Sequence, residues 1–155
     1  MSKSIKRVEA AALAVNLKVK IERMPESTRT AADAAEACDC SIGQIVKSMI
    51  FEGSDTGSLK LLLVSGAHDV DLTRAKKFFG EPLQRADPKR VRTETGFAIG
   101  GVSPIGHKSE IETWMDAELL NYEVVWVAAG APNAVFSVSP SSLRQVTKAE
   151  LFQVG

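Results

Sequence analysis

Apolar residues recur at helical spacing at the start of the chain. Ile5, Val8, Ala12 and Val15 form one stripe, which predicts an amphipathic helix over residues 3–16. The period then shortens, as Val19 and Ile21 alternate with charged residues and predict a short strand ending at Pro25. Residues 30–38 are alanine-rich and predict a helix, with Thr28 or Thr30 as its cap. Two apolar, branched runs at 45–52 and 59–65 predict strands joined as a hairpin through Gly53-Ser54-Asp55-Thr56-Gly57. Asp71 can cap a helix running to Phe79, where Gly80 stops it. Asp87-Pro88 joins a cap to a first-turn proline and opens a helix that ends before Gly96. Further strands are predicted at 97–100, near 111–114, at 123–128 and at 134–138; Ser139-Pro140 then opens a last helix, and 150–153 adds a closing strand.

Strands joined by hairpins and interspersed with helices indicate an α/β chain with a mixed, curved sheet flanked by helices, rather than strict βαβ alternation. At 155 residues the chain fits one domain with a substantial core, spanning residues 1–155. No apolar run reaches the length of a membrane span, so no membrane partner is expected. The basic start, Met-Ser-Lys-Ser-Ile-Lys-Arg, is not followed by the apolar core of a signal peptide, and a soluble cytoplasmic protein is expected.

Net charge is zero, which argues against bulk electrostatic capture of nucleic acid. The charge is nevertheless unevenly spread. Residues 74–92 carry Arg74, Lys76, Lys77, Arg85, Lys89, Arg90 and Arg92 against Glu81 and Asp87, while an acidic helix near 110–123 is the counterpart. Such runs read either as solvated helix faces or as a local patch suited to one end of an RNA.

Candidate chemistry is sparse. Cys38 and Cys40 are too close in sequence to pair well with each other, and His68 and His107 are the only histidines, so no zinc set is complete and no metal or cofactor is expected. Ser103 and His107 lie outside any Gly-x-Ser-x-Gly elbow, which argues against a serine hydrolase. Two features remain. In the run Thr95-Gly-Phe-Ala-Ile-Gly-Gly-Val-Ser-Pro-Ile-Gly-His107, Gly100 and Gly101 free the main chain and Pro104 stiffens it. That segment reads either as a tight turn or as a loop presenting N–H donors to an oxyanion or a phosphate. Lys47 interrupts the apolar strand, sharing a face with Ile45, Met49 and Phe51. An ammonium there either snorkels to water or meets an anion in a pocket.

Taken together, Ser27-Thr28-Arg29-Thr30, Gly43-Gln44-Ile45-Val46-Lys47-Ser48, Val64-Ser65-Gly66, Val70-Asp71-Leu72, Thr95 to His107 and Ala128 to Phe136 resemble the YbaK/EbsC-type aminoacyl-tRNA deacylases, relatives of the editing insertion of bacterial prolyl-tRNA synthetases. The match runs from about residue 24 to residue 147. It implies a YbaK-like fold, a mixed barrel-like sheet with helices around it. It also implies a freestanding hydrolase that removes a small amino acid, such as alanine or 2-aminobutyrate, from mischarged tRNA for proline. The acceptor end of that tRNA would be its partner, alongside a prolyl-tRNA synthetase.

The resemblance gives catalytic roles to Lys47, Gly100 and Gly101. Substrate-binding roles go to Met24, Thr30, Ile45, Met49, Ser65, Ser103, Pro104, His107 and Asn133. Size selection has a physical basis, since one methylene in an apolar pocket is worth only about 1–3 kcal/mol, too little for a synthetase to exclude smaller amino acids by itself. Met24, Ile45, Met49 and the Gly100–Pro104 loop are the expected walls of the second sieve, although Met24 and Met49 also suit ordinary core filling. Many relatives carry histidine where this chain has Asn133, which cannot serve as an acid or base. His107 either substitutes for that histidine or caps a turn. A non-catalytic RNA-binding or regulatory module, and a hydrolase of another small aminoacyl conjugate, are the rival readings.

Overall fold

A computed structural model describes residues 3–25 and 30–154, so Ser27, Thr28 and Arg29 lie outside the described residues. The first helix, α1 (Lys3–Ala14), buries the stripe Ile5, Val8 and Ala12. It leads to a short strand, β1 (Glu22–Arg23). Helix α2 (Ala31–Cys38) begins at Thr30, whose Oγ1 accepts the Asp33 N–H at 3.0 Å, and stops at Asp39 in the left-handed conformation, φ 54. Strands β2 (Val46–Gly53) and β3 (Leu59–Ser65) form the expected antiparallel hairpin.

After β3 come α3 (Ala75–Phe79), β4 (Leu83–Arg85) and α4 (Pro88–Thr95). Asp87 accepts the Lys89 N–H and so caps α4, and Gly96 ends it at φ 86. Strands β5 (Glu112–Asp116), β6 (Val125–Ala128) and β7 (Ala134–Val138) follow, then α5 (Pro140–Thr147), which Ser139 caps, and β8 (Glu150–Phe152).

The strands form two sheets, a five-stranded one in the order β4-β2-β3-β5-β8 and a three-stranded one in the order β1-β7-β6. In the first, β5 runs parallel to β3 and β8 parallel to β5, so the sheet is mixed. A parallel bridge, Ile45 to Trp126, joins the two sheets. The result is a curved sheet system that does not close into a barrel.

Strand β3 is buried on both faces and divides the interior. Leu61 and Leu63 enter a large core shared with α1, α5 and the second sheet, whereas Leu62 and Val64 enter a smaller one with Phe51, Phe79 and Phe152. The same alternation on β2 sends Val46 and Ile50 to the large core and Met49 and Phe51 to the small one.

Three local expectations change. Residues 97–100 form a turn and no strand: Phe97 is fully buried, Ile99 is 56% exposed, and the Gly101 N–H closes on the Ala98 carbonyl at 3.0 Å. With Gly96 ending α4 and Gly100 at φ 96, the run is too short to pair. The acidic segment near 110–123 is no continuous helix; it divides into β5 and a 3₁₀ turn at Ala117–Asn121, because Asp116 accepts the Glu118 N–H and starts the turn there. Strand β4 escaped the sequence pattern because Leu83 is its single apolar residue; pairing with the end of β2 makes it a strand. Among the described residues no helix is long and apolar enough to cross a membrane.

Candidate active site

Beside the Ile45–Trp126 bridge lies a cavity of about 230 Å³. Its walls come from the start of α2, the first residues of β2, strands β6 and β7, and the 100–102 segment. Val102, Trp126, Val127 and Ala134 make much of the surface apolar. Of the residues expected from sequence, Met24, Thr30, Ile45, Lys47, Gly100 and Asn133 line it together. They come from five separate places in the chain, with Ile45 and Lys47 two residues apart.

Lys47 is the cation of this group. Its Nζ donates to the His68 carbonyl oxygen and lies 3.3 Å from Asp69 Oδ1. The Lys47 side chain is 28% exposed, while that of Asp69 is fully in solvent. The ammonium thus meets a backbone carbonyl and an exposed carboxylate while its side chain stays partly in solvent, which combines the two sequence readings. An exposed carboxylate is a weak partner, worth about 0–1 kcal/mol, and a better-placed anion can displace it. An ammonium has three donors, and these two contacts leave one over.

The glycine loop is built differently from the expectation. The Gly101 N–H donates to Ala98, so it is committed to the turn and is not a free oxyanion donor. Gly101 is glycine for a steric reason instead: a Cβ there would sit 2.9 Å from the carbonyl carbon of Ala131 in the facing loop. Gly100, at φ 96, has open space where its Cβ would be. Among the described residues, the N–H groups of Gly100 and Val102 have no acceptor, and both residues line the cavity.

Asn133 works as a clamp. Its Nδ2 donates to the Met24 carbonyl at 3.0 Å and its Oδ1 accepts from Arg23 at 3.1 Å, while the Met24 N–H donates to the Asn133 carbonyl at 2.7 Å. The Thr30 hydroxyl is occupied in capping α2.

The other expected site residues stand away from the cavity. Met49 packs against the smaller core. Ser65, fully buried, donates its hydroxyl to the Gly43 carbonyl at 2.8 Å. Ser103 is buried and accepts the Ile105 N–H at 3.2 Å, with Pro104 buried beside it. His107 Nε2 donates to the Ser103 carbonyl at 2.6 Å, its ring meets Phe97 edge-on, and burial holds its pKa below the usual histidine value. Of the two readings for His107, the structure favours the one that holds its own turn.

Val102 lines the cavity as part of the expected Gly100–Pro104 wall, whereas sequence reasoning missed Ser48 and Trp126 as lining residues. Ser48 Oγ is buried with no hydrogen-bond partner, an unmet polar group at the cavity. Its signal was present as a lone hydroxyl next to Lys47 in an apolar strand. Trp126 had no such signal, because only the sheet-to-sheet bridge brings it to Ile45.

Cys38 Sγ lies 3.8 Å from Met24 Sδ, and burial first, then the nearby Cys40 and Glu22, push its pKa up to about 11. It is a neutral thiol near neutral pH and a poor nucleophile. Among the described residues no group of three or more His, Cys, Asp or Glu side chains could hold a metal ion.

Residues 25–146 match the model of a family described as the aminoacyl-tRNA editing domain. A solved structure described as a candidate trans-editing enzyme for prolyl-tRNA synthetase superposes with a TM-score of 0.92 at 42% identity, covering 99% of this chain and 98% of that one. An uncharacterised Bacillus subtilis protein, YwhH, is 28% identical over 142 residues, 92% of this chain and 90% of its own length. EbsC of Enterococcus faecalis, named as a candidate Cys-tRNA(Pro)/Cys-tRNA(Cys) deacylase, is 25% identical over 130 residues, 83% of this chain and 79% of that protein.

Proposed function

Because the chain belongs to the aminoacyl-tRNA editing domain family, we propose that it is an aminoacyl-tRNA deacylase, which hydrolyses the ester of a mischarged tRNA. The observation that carries this reading is the meeting of one weakly paired cation, Lys47, with unpaired N–H groups at one small cavity. An aminoacyl ester is already activated, so the site must position it and stabilise charge. No protein nucleophile is required.

In this reading Lys47 exchanges Asp69 for a phosphate of the tRNA's terminal adenosine and holds the ester in register. Water attacks the ester carbonyl carbon, and the negative charge moves to the carbonyl oxygen. The N–H groups of Gly100 and Val102 stabilise that oxyanion; a donor of this kind typically contributes about a hundredfold or more in rate. Collapse of the intermediate releases the free amino acid, and the ribose oxygen leaves with a proton. The substrate's own ribose hydroxyl or amino group orients the water, since the nearest histidines are used elsewhere.

The preferred substrate is tRNA for proline carrying a small amino acid, handled in the cytoplasm after a prolyl-tRNA synthetase has mischarged it. The apolar walls and the limited volume support selection by size, and such walls reject large groups by overlap. The similarity to proteins named for Cys-tRNA(Pro) and Cys-tRNA(Cys) deacylation and for trans-editing for prolyl-tRNA synthetase supports the choice of tRNA.

The test compares hydrolysis of alanyl-, 2-aminobutyryl-, seryl-, cysteinyl- and prolyl-tRNA at one enzyme concentration. Small residues are expected to be removed and the prolyl ester spared. Rapid loss of the prolyl ester refutes the size sieve, and binding without hydrolysis of any ester points to a non-catalytic RNA-binding module.

A further inference from the structure

The carbonyl that receives the Lys47 ammonium belongs to His68, and a buried carboxylate on another strand holds that residue in turn. Asp116, at the end of β5, is 1% exposed. Its Oδ2 accepts the Ser65 N–H at 3.1 Å and lies 2.8 Å from His68 Nδ1; its Oδ1 accepts the Glu118 N–H at 3.0 Å. An ionised carboxylate only accepts, so His68 Nδ1 carries the proton in this contact. The turn between Ser65 and His68 is pinned further. The Gly66 N–H donates to Ile45 at 2.6 Å, and the His68 N–H donates to Ser65 at 2.9 Å. Ile45 is itself a wall of the cavity. A continuous chain of bonds thus runs from Asp116 through the His68 side chain and carbonyl to Lys47 Nζ.

We infer that Asp116 and His68 are positioning residues for Lys47, fixing the place of its ammonium at the cavity without touching the substrate. The inference rests on the reading of Lys47 as the group that holds the substrate. A lysine side chain has several rotatable bonds and loses considerable freedom when its ammonium is held in one place. A fixed carbonyl and a nearby carboxylate impose that order before the substrate arrives, which is where preorganisation gains rate. The Asp69 carboxylate is too exposed to do this alone. The imidazole of His68 is 30% exposed, so its contribution to the core is small and its bond to Asp116 is its principal polar contact.

The test uses the full chain and the mischarged tRNA that it hydrolyses fastest. His68→Ala is expected to lower kcat/KM about tenfold or more with the fold retained. His68→Asn places an amide N–H near the position of Nδ1 and is expected to restore most of that loss. Asp116→Asn leaves one acceptor oxygen for two positions, so its NH2 must face either Glu118 N–H or the pair Ser65 N–H and His68 Nδ1, and it is expected to lose activity and some stability. In a Lys47→Ala background, assayed in single turnover with enzyme in excess, His68→Ala is expected to add no further loss. Wild-type rates for His68→Ala, equal losses for His68→Ala and His68→Asn, or losses that multiply in the Lys47→Ala background would each overturn the inference while leaving the active site in place. A wild-type rate for Lys47→Ala itself would instead overturn the functional reading, and this inference with it.

Discussion

Replacing Gly101 by alanine separates a turn that only shapes the loop from a loop that sets the reaction geometry. Gly101 has no positive φ, so its backbone tolerates a side chain, and the cost is steric alone. The new Cβ would lie 2.9, 3.0 and 3.1 Å from the carbonyl carbon, Cα and nitrogen of Ala131. Carbon atoms rest at about 3.5–4.0 Å, so the 98–101 turn and the 130–133 loop must part by about half an ångström or more. Overpacking of this kind costs about 1–3 kcal/mol. For a chain of this size each kcal/mol lowers Tm by about 2–4 °C.

The same displacement moves Gly100 and Val102, the free donors, and shifts Asn133, which clamps Met24 at the same cavity. A misplacement of about 1 Å can cost about a hundredfold in rate, so turnover is expected to fall far more than stability. Deacylation rates and thermal melts on the same preparation test this. Wild-type turnover with a lowered Tm would refute the argument and leave the segment as a plain turn. Ala131→Gly is expected not to rescue the variant, because the obstructing atoms belong to the main chain.

Lys47→Ala is expected to reduce kcat/KM by about one to two orders of magnitude, the equivalent of a charge-assisted contact of about 1.5–3 kcal/mol, with little change in Tm; an unchanged rate would make Lys47 structural. Chelators such as EDTA are expected to leave deacylation unaltered, and loss of activity restored by one divalent ion would contradict the mechanism through backbone donors. Burial lowers the pKa of His107 in the fold, so below its ordinary value of 6.5 the unfolded chain binds a proton that the native one does not, and stability falls as pH falls through that value. His107→Gln, which can still donate to the Ser103 carbonyl, is expected to flatten the slope of Tm between pH 7.5 and 5.

Much of the architecture was legible because its signals are local. The stripe on α1 follows helical periodicity, and the caps Thr30, Asp87 and Ser139 hold their own helix starts. Lys47 stood out because an ammonium on an apolar strand needs a partner, and the structure supplies one. The 97–100 run misled because three apolar residues satisfy a strand pattern while the glycines on either side prevent pairing. Met49, a candidate wall that also suited core filling, packs against the smaller core.

From the sequence alone came most of the elements, the lysine out of place in its strand and the glycine-rich loop, each set by spacings of a few residues. How that loop meets the site was decided by tertiary structure, since Gly101 packs against Ala131 of a distant loop and Gly100 and Val102 line the cavity with Lys47. The support of Lys47 was decided there too. Parallel pairing of β3 with β5 sets Leu63 against Met115, and that register carries Asp116 to the end of β3, beside Ser65 and His68. Contacts between residues 48 or more positions apart, such as His68 with Asp116, depend on sheet register, which local spacing does not encode.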